Sequence, residues 1–265
     1  MIKNLHMDIE KTNKLGIIEI VGIGPGSLEQ LTEQAREALL GANVIVGYKT
    51  YTDLIHPLVQ EKKIISTGMR QEVARCEKAI ALALEGNTVA VISSGDPGIY
   101  GMAGLIFELL RSSYKDALPD IEVRVIPGIS ALNGCAALLG APLMHDFAAI
   151  SLSDHLTPWD VIEKRIRAAT QSDFIIILYN PRSTGRPDYA ERAARIIASY
   201  RDPETPVGIV QSAGRVREAV ITTTLKDMTR HHIDMQSTVI IGNSSSFIWH
   251  HWMITPRGYA SKYKL

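Results

Sequence analysis

The chain of 265 residues has little sulfur chemistry: two cysteines, Cys76 and Cys135, stand far apart. No CxxC or CxxxC spacing occurs, so neither a zinc nor an iron–sulfur site is expected, and the simplest reading is two reduced thiols. Charge of one sign is missing too, since 28 Lys and Arg balance 28 Asp and Glu. Nucleic-acid binders normally carry a basic excess, so that class is argued against. A local basic patch around an acidic small molecule remains compatible with the balance. No apolar run approaches the roughly 20 residues of a membrane span. The first fourteen residues contain no apolar h-region, so they read as a loose tail and not as a secretory signal. The cytoplasm is therefore the expected compartment. Internal repeats, low-complexity tracts and the Gly-Lys-Ser/Thr of a phosphate loop are all absent.

What is present is a set of Gly/Pro corners placed directly after apolar runs. Thr88 to Ile92 feeds into Ser93-Ser94-Gly95-Asp96-Pro97-Gly98-Ile99-Tyr100-Gly101. Two similar corners are Gly22-Ile23-Gly24-Pro25-Gly26 and Pro127-Gly128-Ile129-Ser130-Ala131. A Gly-rich turn between a buried strand and a helix lets a ligand touch bare backbone. One corner alone is ordinary turn chemistry. Three, all after apolar strands and all within the first half, predict one crevice built from several loops.

Strand and helix alternate along the first half. Strands are expected at Ile17 to Val21, Val44 to Val46, Thr88 to Ile92 and Glu122 to Ile126. Helices are expected from Glu33 to Leu40, Cys76 to Glu85, Met102 to Leu110 and Ala131 to Leu139. Thr32 is the N-cap of the first helix and Gly41 its C′ residue. This order predicts a largely parallel sheet flanked by helices. In the second half, Phe147 to Leu152, Phe174 to Tyr179, Val207 to Val210, Val220 to Thr224 and Thr238 to Ile241 read as strands. Thr157-Pro158 reads as a helix start with a capping hydroxyl and proline at N1, and Asp188 to Tyr200 as a further helix. Close strands without long helices between them predict a mixed second sheet. The expected organisation is a tail over 1–14, an N-terminal α/β domain over 15–140 and a C-terminal α/β domain over 141–265.

The first corner departs from a dinucleotide fingerprint. Its third glycine is misplaced, proline interrupts the turn, and no acidic residue follows the second strand where a ribose partner belongs. His231-His232 and His250-His251 have no third ligand at useful spacing, and no metal site is expected. Trp249, Trp252 and Met253 read as core or dimer packing in preference to a platform for a flat ligand.

The ordered set Val21-Gly22-Ile23-Gly24-Pro25-Gly26, Leu31-Thr32, Ser94-Gly95-Asp96-Pro97, Pro127-Gly128-Ile129-Ser130-Ala131 and Leu178-Tyr179-Asn180-Pro181 resembles the tetrapyrrole methyltransferases of corrin and sirohaem synthesis. The resemblance spans about Ile17 to Tyr259. Further segments are similar to its ring-contracting, precorrin-3B C17-methyltransferase branch: Gly47-Tyr48-Lys49-Thr50-Tyr51, Gly68-Met69-Arg70, Ser151-Leu152-Ser153-Asp154, Leu156-Thr157-Pro158-Trp159, Arg182-Ser183 and Met253 to Tyr259. The sirohaem branch has an aspartate just after the second strand and a lysine in the third loop, where this chain has Tyr48 and Met69.

The resemblance implies two α/β domains with a cofactor in the cleft between them, S-adenosylmethionine as methyl donor, S-adenosylhomocysteine as product, and a homodimer. It implies that Pro25, Ser94, Gly95, Asp96, Ile99, Ser130, Ala131, Asn180 and Ala213 line the cofactor pocket. Asp96 reads either as a cofactor ligand or as a turn cap bonded to its own backbone. The implied substrate is a macrocycle fringed with carboxylates, natural partners for arginine. Arg70, Arg182, Arg186, Arg215 and Arg257 lie in or beside predicted loops, and Arg70, Arg182 and Arg257 are taken as the substrate-binding set. The implied reaction joins methylation at a ring carbon to expulsion of a bridging carbon as an acetyl group, with a lactone. Tyr48, Lys49, Asp154 and His155 are the acid–base residues to consider. Other readings are another precorrin methyltransferase, a diphthine synthase that methylates a protein, and a noncatalytic tetrapyrrole or nucleotide carrier.

Overall fold

The computed structural model describes residues 15–115 and 119–264, so the tail expected over 1–14 lies outside the described residues. The chain divides into two compact units. The first takes the chain up to Ile23 and Leu31–Gly128, the second Gly24–Gln30 and everything from Ile129 on. The sequence reading ended the first domain at residue 140. Two segments of that range fall in the second unit instead: Gly24–Gln30, and the stretch from Ile129 that carries the helix Ala131–Leu139, whose Leu132, Cys135, Ala136 and Leu139 pack on strands of the second unit.

The first unit contains β1 (Gly16–Gly22), α1 (Glu33–Gly41), β2 (Val44–Tyr48), α2 (Lys49–Val59), β3 (Lys63–Thr67), α3 (Glu72–Leu84), β4 (Thr88–Ser93), α4 (Ala103–Tyr114) and β5 (Ile121–Ile126). Its sheet runs β3-β2-β4-β1-β5, and every pairing is parallel. Ile18, Ile20, Val44, Val46, Val89 and Val91 pack on Cys76, Ala79 and Ala83 of α3 and on Ile106 and Leu110 of α4. The alternate residues Val21, Ile45 and Ala90 are equally buried. That is the period-2 pattern of a strand covered on both faces. Each such side chain removed from water contributes about 1.5–3 kcal/mol. Thr32 caps α1 as expected: its Oγ1 accepts from Ala35 N at 3.1 Å and donates to Pro127 O at 3.2 Å.

Chain leaving β1 heads for β2, while chain leaving β4 heads for β5, on the opposite side of β1. The two connections cross over one another, which brings the corners after β1 and β4 side by side at the carboxyl edge of the sheet, where α/β sheets bind ligands.

The second unit contains α5 (Ala131–Leu139), β6 (Gly140–Ala141), β7 (Phe147–Ser151), α6 (Trp159–Gln171), β8 (Ile175–Tyr179), α7 (Tyr189–Ala198), β9 (Pro206–Gln211), β10 (Ala219–Thr224), β11 (Ser237–Ile241), β12 (Phe247–Trp249) and β13 (Trp252–Ile254). The sheet β10-β9-β11-β8-β7 is mixed: β7 and β8 are parallel, whereas β11 runs against both β8 and β9 and β10 runs against β9. Ile175 and Ile177 face α5, and Ile176 and Leu178 face α6 and α7. Met253 is fully buried with the α5 cluster, as the packing reading expected, whereas Trp249 and Trp252 are exposed.

Two local expectations are corrected, and some elements went unread. Gly41 is the last residue of α1 and not a left-handed C′ glycine; Ala42 is the C-cap. Pro158 is itself the N-cap of α6, and no Thr157 hydroxyl caps the helix. The helix α2 and strand β3 went unread because Pro57 sits inside α2 and β3 is a partly exposed edge strand. The small sheet β12-β13-β6 also escaped, since strands of two or three residues leave no periodicity. Among the described residues no helix is long and apolar enough to cross a membrane.

Candidate functional site

In the first unit the three Gly corners meet in main-chain contact. Gly22 lies in register with Ser93 at the carboxyl ends of β1 and β4. A Cβ on Gly22 would stand 2.6 Å from Gly128 N and 2.7 Å from Gly95 O. One on Gly128 would stand 2.2 Å from Gly95 O. Only residues without a side chain permit this approach, and it falls at the carboxyl ends of β1 and β4. Gly95 is left-handed, with φ 68°. Asp96 binds the junction together: Oδ1 accepts from Gly98 N at 2.8 Å and Oδ2 from Gly128 N at 3.1 Å. Its turn-capping role is therefore real, and it extends to a second loop. Ser94 is half-buried beside it, and Ile99 is exposed.

The remaining cofactor residues expected from the sequence belong to the second unit, where they gather at the N-terminus of α5. Ser130 is the N-cap of α5, accepting from Asn133 N, and Ala131 is its first residue. The next amide, Leu132 N, donates to the Tyr179 hydroxyl at 2.9 Å, placing the end of β8 against the helix start. Pro25 packs on α5, because a Cβ on Gly134 would lie 3.2 Å from Pro25 Cγ. The Pro25 carbonyl accepts from Arg215 Nε at 3.1 Å, so Arg215 ties that corner to the loop holding Ala213. Asn180 and Ser212, directly after β8 and β9, are left-handed with φ 51° and 48°. Such strained non-glycine residues cluster at ligand-binding loops. Asn180 Nδ2 also donates to Ser151 Oγ at 3.0 Å.

The expected acid–base residues lie two in each unit. Tyr48 ends β2 and packs edge-on against Tyr51, with ring centroids 5.2 Å apart. Lys49 is exposed and paired with Asp53 at 3.0 Å. Asp154 accepts a 2.6 Å hydrogen bond from the Tyr189 hydroxyl and lies 3.7 Å from Arg186 Nε. The Tyr189 bond holds the Asp154 carboxyl below the usual carboxylate range and pushes the Tyr189 phenol up. His155 is exposed.

Of the loop arginines, Arg70 and Arg257 are exposed and have no hydrogen-bond or ion-pair partner among the described residues. Arg182 pairs with Glu191. Arg186 is buried, donating to Leu152 O and Ser183 Oγ at 3.1 Å each, so it organises its loop instead of facing solvent. Both cysteines are free and buried, and burial pushes each thiol up to about 11. No metal-binding cluster of His, Cys, Asp or Glu occurs among the described residues.

Sequence reasoning missed Tyr189 and Arg75. Tyr189 gave no signal, since its partner Asp154 is 35 residues away. Arg75 did give one: it stands four residues before Ala79 and eight before Ala83, on the buried face of α3.

The family model of tetrapyrrole (corrin/porphyrin) methylases matches residues 18–229. The chain is 55% identical over 250 residues to the cobalt-factor III methyltransferase of Priestia megaterium, covering 94% of this chain and 46% of that one. It is 54% identical over 243 residues to a probable cobalt-factor III C(17)-methyltransferase of Salmonella typhimurium, covering 92% of this chain and 99% of that one. It thus spans about half the length of the first relative and nearly all of the second. Among solved structures, that of the methyltransferase CobJ superposes with a TM-score of 0.86 at 37% identity, over 91% of this chain and 100% of CobJ. This chain belongs to the tetrapyrrole (corrin/porphyrin) methylase family.

Proposed function

We propose that this protein is an S-adenosylmethionine-dependent C-methyltransferase that methylates C17 of cobalt-factor III, with ring contraction to cobalt-precorrin-4, in cobalamin biosynthesis. The observation that carries the reading is the near end-to-end likeness, at 54% identity, to a relative named for that reaction. The metal-free analogue precorrin-3B is the second macrocycle to test, and cobalt enters as part of the substrate.

The residues present fit the cofactor. The Gly22, Gly95 and Gly128 junction has no room for side chains and offers main-chain groups at the carboxyl ends of parallel strands. We assign cofactor binding to Ser94, Gly95, Asp96 and Ile99 of the first unit, and to Pro25, Ser130, Ala131, Asn180 and Ala213 of the second. When bound, S-adenosylmethionine supplies an electrophilic methyl group on its sulfonium. The protein's share is placement, because aligning two reactants removes much of the barrier. Asp96 keeps two glycine loops in fixed relation, and the strained Asn180 is held by Ser151.

Arg70 and Arg257, exposed and unpartnered among the described residues, bind carboxylates of the macrocycle. Arg182, already paired with Glu191, shapes its loop. Of the four acid–base residues, Lys49 and Asp154 are engaged with neighbours, which leaves Tyr48 and His155, whose side-chain polar atoms have no hydrogen-bond partner among the described residues, for proton transfer. The protein acts as a cytoplasmic homodimer, with Phe247, Ile248, Trp249 and Trp252 as exposed apolar surface for association.

The test is incubation with methyl-labelled donor and either macrocycle, followed by mass and absorption spectra. Gain of one methyl group with the cobalt form alone is expected. Gain with neither form overturns the substrate assignment, and gain with precorrin-3B alone moves the enzyme to the metal-free branch. Light scattering on the eluting protein reads the oligomeric state.

A further inference from the structure

We infer that Arg75 is a positioning residue that sets the substrate-facing exits of β3 and β2; the inference rests on the methyltransferase reading above. Arg75 lies in the first turn of α3 and is only 3% exposed. No Asp or Glu pairs with it among the described residues. Arginine is rarely buried without an acidic partner, because an uncompensated charge taken out of water is strongly unfavourable. The neighbouring buried positions of α3 are Cys76, Ala79 and Ile80, so an apolar residue would suit the helix better. A residue retained against that penalty is expected to supply something an apolar one does not.

What it supplies is a fork aimed at two strand exits and the start of α4. Nε donates to Thr67 Oγ1 at 2.7 Å, at the end of β3. Nη2 donates to the Gly68 carbonyl at 3.0 Å, one residue further on. Nη1 meets the Met102 sulfur at 3.9 Å, just before α4. The guanidinium carbon lies 5.9 Å from the centre of the Tyr48 ring, at the end of β2. The strands β3 and β2 are neighbours in the sheet, so one side chain reaches the carboxyl ends of two adjacent strands and the start of α4.

The loop it holds is strained. Arg70 is left-handed, with φ 63°. A non-glycine residue stays there only when its surroundings over-determine it. Gly68 is gripped from both sides, its carbonyl by Arg75 and its N–H by Gln71 Oε1 at 2.9 Å. The held segment carries Met69 and Arg70, and the held ring is Tyr48. Arg75 thus fixes the Tyr48 ring and the segment carrying Arg70, to which the reading above gives proton transfer and carboxylate binding, without touching the substrate itself. Lysine cannot replace it, because a single ammonium does not reproduce the planar fork.

The experiment uses the full chain with Arg75→Lys, and with Gln71→Ala as a second variant that frees Gly68 from the other side. Amide hydrogen exchange over residues 66–72, calorimetric binding of S-adenosylhomocysteine, and kcat and KM for the macrocycle are measured. The expected result is faster exchange in that segment, unchanged S-adenosylhomocysteine affinity, and kcat/KM for the macrocycle lower on the order of tenfold to a hundredfold. Unchanged exchange in Arg75→Lys overturns the brace. Unchanged kcat/KM, or parallel losses in cofactor affinity and kcat/KM, overturns the positioning role in favour of a general structural one. A wild-type chain inactive on both macrocycle forms overturns the substrate reading instead, and the exchange comparison still decides whether Arg75 holds the loop.

Discussion

Asp96 accepts the main-chain N–H of Gly128 at 3.1 Å, so a carboxylate just beyond β4 fixes the loop that leaves β5. Its other oxygen accepts from Gly98 at 2.8 Å. An amide in its place presents an N–H to one of those two donors and leaves that donor unsatisfied. Asp96→Asn is therefore expected to lose roughly 1–3 kcal/mol of stability in denaturant unfolding. It is also expected to bind S-adenosylhomocysteine more weakly, as read by calorimetry. Wild-type affinity in a folded Asp96→Asn protein would remove Asp96 from the cofactor site.

The glycine junction sets a second expectation. A methyl at position 128 would meet Gly95 O at 2.2 Å and Gly22 C at 2.7 Å, and both are main-chain atoms that have no rotamer to escape into. Gly128→Ala is expected to destabilise by at least about 1–3 kcal/mol, the usual penalty of overpacking. Gly104, inside α4, is the control: a Cβ there meets nothing within 4 Å. Gly104→Ala should be neutral or stabilising by roughly 0.5–1 kcal/mol. Thermal unfolding of the two variants side by side checks the contrast.

Much of this was legible in the residues because it depends on short-range pattern. Period-2 apolar runs such as Ile17 to Val21 become buried strands wherever both faces are covered. Thr32 became a cap because a hydroxyl before a helix has an orphan amide to accept. The Gly corners were visible as a set. That Gly22, Gly95 and Gly128 touch each other was not, since contact among residues so far apart is decided by strand order. From the residues alone, Arg182 stood with Arg70 and Arg257 as a substrate ligand, and Arg186 was one more loop arginine. Only tertiary packing distinguishes them, giving Arg182 to Glu191 and burying Arg186 under Leu152 O. The extra helix in the second unit has the same origin, since nothing local says that α5 buries Leu139 against the second sheet.

The arginines divide into two kinds, and kinetics can separate them. Arg70 and Arg257 are exposed and unpartnered among the described residues, so Arg70→Ala and Arg257→Ala should leave the melting temperature unchanged. Loss of one charge-assisted contact to a substrate carboxylate is expected to raise KM for the macrocycle roughly tenfold. Arg182→Ala should behave differently. It strands Glu191, whose Oε2 is already buried without a partner, and so should lower thermal stability. A KM effect without a stability effect for Arg182→Ala would reassign it to the substrate.

Asp154 and Tyr189 carry a prediction in pH. The 2.6 Å bond from the Tyr189 hydroxyl favours the ionised carboxylate and lowers its pKa in the folded protein. A group whose folded pKa is depressed stabilises the fold above its unfolded pKa, and that contribution disappears as pH falls through the folded value. Tyr189→Phe keeps the ring against Trp159, 4.5 Å between centroids, and removes only the hydroxyl. The variant should therefore melt below the wild type at neutral pH. The gap should stay constant down to the ordinary aspartate range, shrink through the acid region below it, and vanish once Asp154 is protonated in both proteins. Melting curves of the pair across that range test it, and a gap independent of pH would show that Tyr189 stabilises through packing alone.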